Sequence, residues 1–446
     1  MEETLRKAGD IVLDRVNQQG LEGEVFLLHD RELNIEIRQG LVETLKQAEE
    51  TGIGLRVFNA GRIGFAYSSD LSSPALQKLV DDAVSISAYT AADEYNILPQ
   101  GKRVYPEVEV YDPELATASL EAKMESAREV ERIARAYDPR IELVEKATYG
   151  DGEYSMLIMN NRGIYAFGQG NYCALSTVLV AREDDDRQNG YAFSSQRMYR
   201  TLDARLIGEE AALKALRSLK ARTIPSAQMP CVMEPYVVVR FLGLIAASVQ
   251  ADAVQKGKSM LAGKVGQAVA SPVVDLVDDG RLPGGMVSSP FDGEGVPTQR
   301  NVVVEKGVLQ DFLYDTYTGL KAKRQSSGNA RRSSFRILPA VGISNFMLGP
   351  GEKSPAELRE PISRGLYITE VMGMHTANPI SGDFSVGAAG IMIEDGQLTH
   401  AVRGVTIAGN LLELLQDIDA VGNDLRFFGS LAAPSLRLTK LCIGGN

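Results

Sequence analysis

The chain has 446 residues, 44% hydrophobic and 24% charged, with a formal net charge of −11. That length exceeds what one hydrophobic core normally serves, so two domains are the default expectation and three are possible. The excess of acid argues against a broad phosphate-binding surface, and hence against direct nucleic-acid binding.

The first twenty residues carry acids and no apolar segment, and no apolar run is long enough to cross a membrane. A cytoplasmic protein without membrane contact is therefore expected. Leu5, Ala8, Val12 and Val16 stand at helical spacing and predict an opening amphipathic helix. Ile53, Leu55 and Val57 alternate as a strand, turn at Asn59-Ala60-Gly61, and return through Ile63 and Phe65. Ser73 before Pro74 starts a helix with Leu76, Leu79, Ala83 and Ile86 on its buried face. Pro99, Pro106 and Pro113 make 90–113 a connector and a candidate sub-boundary.

A long helix is expected from about Leu115 to Tyr137, with Leu120, Met124, Ala127, Val130 and Ile133 inward. Strands follow, separated by turns at Asp151-Gly152, Asn161-Arg162-Gly163 and Asn189-Gly190. The acidic run Glu183–Asp186 suits a solvated loop. Another helix covers 203–220 with Leu206, Leu213 and Leu216 inward, and the aperiodic, proline-bearing segment 222–230 marks a domain boundary. In the remainder, the segments 276–282, 302–309 and 391–398 share a hairpin pattern ending in a two-residue turn with Gly. The expected fold is α+β: a mixed α/β N-terminal domain over 1–222, then a β-rich, barrel- or sandwich-like C-terminal domain over 223–446.

Few standard sites survive inspection. Cys173, Cys231 and Cys442 are odd in number, widely spaced and outside any CxxC pattern, which disfavours both a disulfide framework and a cysteine zinc site. The Gly257-Lys258-Ser259 triplet lacks the glycine five positions earlier that a phosphate loop needs, since Asp252 stands there. Gly168-Gln169-Gly170 meets Cys173 where a dinucleotide fingerprint needs its third glycine, and no GxSxG elbow occurs. The three histidines, His29, His375 and His400, offer no helical ligand pair.

Polar side chains do gather on glycine-rich backbone between Met372 and Gly396. His375, Asn378, Ser381, Asp383 and Ser385 suit either a loop anchored by its own hydrogen bonds or a groove that accepts peptide amides. Asp292 and Glu294 serve either as turn formers or as groove and interface residues. Arg331 and Arg332 could grip a carboxylate or a partner's acidic patch.

Five blocks carry a family resemblance: GIGLRVFNAGRIGFAYSSD at 52–70, FDGEGVPTQRNVVVEKGVL at 291–309, SSGNARRSS at 326–334, HTANPISGDFSVGAAGIMIEDG at 375–396 and VTIAGNLLELLQDI at 405–418. Together they resemble the TldD/PmbA family, known as modulators of DNA gyrase and associated with peptidase activity. The resemblance implies a two-domain α+β dimer. It further implies a TldD-like branch whose HExxxH helix binds zinc, completed by a C-terminal cysteine, and a PmbA/TldE-like branch without those ligands. The matching helix here is EPYVVVRFLGLIAASVQAD at 234–252, and the family's ligand positions fall on Leu242, Gly243 and Ala247, with the cysteine region on Phe428-Gly429-Ser430.

None of these side chains binds a metal. By resemblance, then, this chain holds no metal or cofactor and no catalytic residue. It holds an unfolded peptide while a TldD-like partner supplies zinc, and it forms a homodimer when alone. The alternative is a non-catalytic homodimeric peptide-binding or regulatory protein, a gyrase modulator by family label. An independent hydrolase fits least well with so little histidine.

Overall fold

The structure is a computed structural model and describes residues 1–445. Its N-terminal part is built on one antiparallel sheet. The strands are β1 (Glu22–Arg38), β2 (Leu41–Asn59), β3 (Arg62–Ser68), β4 (Ile141–Asn160), β5 (Tyr165–Glu183) and β6 (Asp186–Gln196), in the order β3-β2-β1-β4-β5-β6. At the β2–β3 turn Ala60 and Gly61 both take positive φ, 49° and 79°, as a two-residue hairpin loop requires.

Helices α1 (Glu2–Gln18), α2 (Ser73–Ser87), α3 (Pro113–Thr117), α4 (Leu120–Ala136) and α5 (Ala204–Leu216) accompany this sheet. Leu5, Val12 and Val16 of α1 and Leu76 and Leu79 of α2 close over Val25, Leu27, Ile53 and Leu55. Val130, Ala134, Ile207 and Ala211 close over Ile35, Ile37, Tyr149 and Leu175. Side chains alternate across a strand, so Val25, Leu27, Ile35 and Ile37 share one face of β1, and the helices cover that face. Phe26 and Leu28 lie on the other, where Ile158, Phe291 and Phe335 join them from the rest of the chain. A strand buried on both faces explains the unbroken apolar run Val25–Leu28.

The C-terminal part is β-rich, as the sequence pattern predicts. Strands β7 (Ala227–Met233), Arg364–Met372, Asp383–Glu394, Gln397–Asn410 and Leu436–Gly444 close into a five-stranded barrel through pairing of Thr406–Ala408 with Cys442–Gly444. A second six-stranded sheet includes Leu276–Asp279, Arg300–Glu305 and Phe346–Leu348. Between them runs α6 (Pro235–Ser248), whose Val238, Phe241, Leu242 and Ile245 belong to one large core with residues of both sheets.

Several local expectations change. The long helix breaks after Thr117, because Ser119 caps a new helix by accepting from the Ala122 N–H at 3.2 Å. Asp151-Gly152 and Asn189-Gly190 lie inside β4 and β6 rather than at turns. Their glycines admit close neighbours: a Cβ on Gly152 would meet the Tyr172 ring at 2.6 Å, and one on Gly190 the Ala211 carbonyl oxygen at 1.9 Å. The β5–β6 turn falls instead within the acidic run, with Asp184 at φ 55°. Ile86, Leu120, Leu206 and Leu213 are exposed, and in α5 Ile207, Ala211 and Ala215 take the inner face. Only two of the three proposed hairpins form. Lys306-Gly307 and Asp395-Gly396 turn with paired positive φ, whereas Gly280 is held close to Thr298 and has no such geometry.

Candidate functional site

Helix α6 starts where Pro235 at N1 fits an N–H that would be unpaired anyway, and it is apolar on nearly every side. Leu242 is buried, Gly243 is half-buried and Ala247 is exposed. A Cβ on Gly243 would stand 3.7 Å from Leu431 Cδ1, so this side of α6 faces the segment that follows Phe428. The fold thus sets Gly243 beside Leu431, and the positions that the resemblance equates with a metal site are Leu242, Gly243, Ala247 and Phe428. They supply carbon and hydrogen where zinc needs nitrogen, oxygen or thiolate donors. Among the described residues no group of three or more His, Cys, Asp or Glu side chains is arranged to hold a metal. The family's zinc does not fit these positions.

An aromatic cavity occupies the neighbouring space. It measures about 180 Å³ and is lined by Tyr191 and Phe193 of β6, Tyr236 of α6, and Phe428. Phe428 lies 5.9 Å from Phe193 and 5.6 Å from Tyr236, centroid to centroid. Charges rim it. Arg426 donates to Glu210 at 3.1 and 2.7 Å, Lys214 reaches the same carboxylate at 2.6 Å, and Arg217 donates to Glu234 at 2.7 Å. Burial raises the Glu210 pKa, yet Arg426 and Lys214 outweigh it and hold the group below its ordinary value. The cavity suits an apolar side chain, with donors and acceptors ready at its mouth.

The glycine-rich block lies elsewhere on the C-terminal domain, against the end of α6, where Ser248 Oγ donates to the Pro379 carbonyl at 3.2 Å. His375, Asn378, Ser381, Asp383 and Ser385 are all exposed. Asn378 Oδ1 accepts from the N–H groups of Ile380 and Ser381, which makes a local turn. Ser381 Oγ and Asn410 Nδ2 donate to the Asp383 carboxylate at 2.7 and 2.9 Å, and these bonds, Asn410 first, lower its pKa. The block is thus both surface-exposed and held by its own hydrogen bonds.

Asp292, Glu294 and Arg332 sit in neither place, since the structure buries them in the junction between the N-terminal sheet and the C-terminal part. Arg56 donates to both oxygens of Glu24, at 3.0 and 2.7 Å, and to Glu294 at 3.2 Å. Arg332 donates to Glu24 at 3.0 Å, with its guanidinium 4.7 Å from the centre of the Phe26 ring. Two carboxylates against two guanidiniums leave this cluster without net charge. Burial opposes the charge on Arg56, but Glu24 and Glu294 raise its pKa; Arg332, equally buried and beside Arg56, is shifted down. Asp292 accepts three backbone N–H bonds, from Glu294, Val296 and Ala330, so it shapes the loop. Arg331 lies on the adjoining short strand, half-buried, near Asp278 and Asp292.

Sequence reasoning did not single out Glu24 or Arg56. Their signal was a charge next to a short apolar run, Val25–Leu28 after Glu24 and Val57-Phe58 after Arg56. The aromatic trio Tyr191, Phe193 and Tyr236 gave no signal, because the β6 pair stands far in sequence from Tyr236 of α6.

Three segments of the chain match the domains of a single family. Residues 23–87 match the PmbA/TldA metallopeptidase domain 1, 113–219 its central domain and 226–445 its C-terminal domain. The chain belongs to the PmbA/TldD family. Among its relatives is a Haemophilus influenzae protein named metalloprotease PmbA homolog, 27% identical over 451 residues that span 100% of this chain and 97% of the relative. Another from the same organism, named metalloprotease TldD homolog, is 27% identical over 404 residues, 87% of this chain and 82% of the relative. The family thus contains proteins of both names. A solved structure from Thermotoga maritima, described as a candidate modulator of a DNA gyrase, superposes with a TM-score of 0.91 at 31% identity, covering 98% of this chain and 100% of that one. In this member the PmbA/TldD domain 1 and central domain share one sheet, since β1–β3 and β4–β6 meet at the β1–β4 pairing.

Proposed function

We propose that this chain is the PmbA/TldE-like subunit of a two-component metallopeptidase acting on unfolded peptides. It binds substrate and completes the working chamber, while a TldD-like partner supplies the zinc. The observation that carries this reading is α6, which offers no metal ligand at Leu242, Gly243 and Ala247, the positions that the resemblance equates with the zinc helix, and Phe428 offers none either. The aromatic cavity beside Phe428 supports it, because an apolar side chain of a bound peptide would fit about 180 Å³. An extended peptide held mainly by main-chain hydrogen bonds would allow many sequences to bind. The exposed His375–Ser385 block is a second candidate contact.

On this reading the protein works in the cytoplasm, where cysteines remain reduced. No helix of the described residues is long and apolar enough to cross a membrane. Purified alone it pairs with itself, so light scattering that returned only monomer at micromolar concentration would count against the reading. The main test is co-expression with a TldD-like chain, followed by elemental analysis and turnover of an unfolded peptide. The expected result is zinc and activity in the complex, with neither in the isolated chain. Near-equimolar zinc retained by the isolated chain through mild chelation would overturn it.

A further inference from the structure

A cleft of about 710 Å³ lies between the connector at 99–106 and the segments 296–299 and 316–326. Arginines enter it from three separate places: Arg103 from the connector, Arg281 from the loop after Leu276–Asp279, and Arg324 from beyond the helix Thr316–Lys321. No aspartate or glutamate is among its lining residues. In a chain of net charge −11 this is a local reversal of sign. Arg324 approaches Asp311 only at 3.7 Å, and neither Arg103 nor Arg281 forms an ion pair among the described residues. Exposed guanidiniums gathered in one concave space focus the field on an incoming anion.

A second observation points inward. Thr316 lines the cleft, and its Oγ1 is buried without a hydrogen-bond partner. Its N–H donates to Glu294 Oε2 at 3.0 Å, which ties the backbone of this residue to the buried ionic cluster. The walls also say what kind of anion would suit. Pro99, Pro106 and Pro297 offer no N–H, which leaves that side with fewer donors for the backbone nest that cradles a phosphate. Tyr105 and Leu320 supply apolar surface in the same cleft, and the Tyr105 hydroxyl already donates to the Gly295 carbonyl at 2.9 Å.

We propose that this cleft binds an acidic stretch of unfolded polypeptide. Its carboxylates meet the arginines bidentately, and its apolar side chains lie on Tyr105 and Leu320. The space is larger than a single anion fills, and cations on three segments suit charges spaced along a chain. The inference rests on the reading of this protein as a peptide-holding subunit and adds a substrate preference to it.

The test is fluorescence anisotropy on the full chain with three labelled, unstructured peptides of equal length and apolar content. They carry glutamate, glutamine or lysine at the variable positions. The glutamate peptide should bind about ten- to a hundred-fold more tightly than the lysine peptide, with the preference falling as salt rises. The double variant R103E/R281E should abolish that preference, and R103Q/R281Q should reduce it. Both arginines are exposed, so folding should be unaffected, and circular dichroism checks this. Equal binding of the glutamate and lysine peptides, or a preference that survives charge reversal, would overturn the proposal. So would competition by millimolar inorganic phosphate that is insensitive to R103E/R281E. Failure of this proposal alone would leave turnover of the glutamine peptide by the reconstituted pair intact. Failure of the peptide-subunit reading would abolish turnover of all three.

Discussion

At the scale of single residues, burial sets both reactivity and cost. Cys173 and Cys231 are buried, and desolvation pushes both thiols up to about 12, whereas Cys442 is exposed. A thiol reagent should therefore modify one cysteine in the native protein and three after denaturation; two fast-reacting native thiols would contradict the packing. Arg56 is held by two buried carboxylates. Replacing it with Ala leaves Glu294 without a cation and Glu24 with Arg332 alone, which should cost about 3–5 kcal/mol in chemical denaturation. Replacing exposed Glu43, paired with Arg38 at 3.3 Å, should cost under about 1 kcal/mol.

Asp383 shows the same logic at the surface. Hydrogen bonds from Asn410 and Ser381 lower its pKa, so the folded state favours its ionised form. That contribution is present above the unfolded-state pKa and lost as pH falls through the lower folded value. In N410A the Asp383 carboxyl should titrate at higher pH by NMR, and an unchanged titration would show that the Asn410 bond does not hold this carboxylate.

At the scale of elements, glycine distinguishes what could be read from the sequence and what could not. The Ala60-Gly61, Lys306-Gly307 and Asp395-Gly396 turns were legible because a two-residue hairpin loop needs positive φ at adjacent positions, and that need is local. Asn189-Gly190 has the same local chemistry but serves a tertiary end: α5 passes so close to β6 that only hydrogen fits. G190A should push α5 off the strand at a cost of about 1–3 kcal/mol, measured by denaturation, and a neutral effect would mean the helix can shift freely. The inner face of α5 was misread for a related reason. Small Ala211 and Ala215 face the sheet because the helix lies close, while Leu206 and Leu213 face out. That α6 carries no histidine was legible because it is a fact of sequence. The aromatic cavity and the arginine cleft were not, since each is assembled from segments scores of residues apart.

At the scale of the whole molecule, the N-terminal sheet and the C-terminal part are joined through a buried surface. The face of the N-terminal sheet opposite its helices carries Phe26 and Ile158, and it is closed by Phe291 and Phe335 from the C-terminal part. Phe335 lies directly over Gly52, where an added Cβ would come within 2.2 Å of the ring. The neutral Glu24, Arg56, Glu294 and Arg332 cluster sits in the same junction, so separating the domains exposes apolar rings and breaks buried ion pairs at once. Interfaces of that kind couple domains, whereas small polar ones let them unfold independently. The chain should therefore melt in one calorimetric transition. Phe335→Ala removes a ring whose contacts lie across the junction, and such a truncation costs about 3–5 kcal/mol. Because that loss falls on the interface and leaves each domain's own core intact, the variant should melt in two separable steps. Its N-terminal thiol Cys173 and C-terminal thiol Cys231 should then become reactive at different temperatures. Two transitions already present in the unaltered protein would mean that the junction does not couple the domains, and that the buried cluster serves local packing alone.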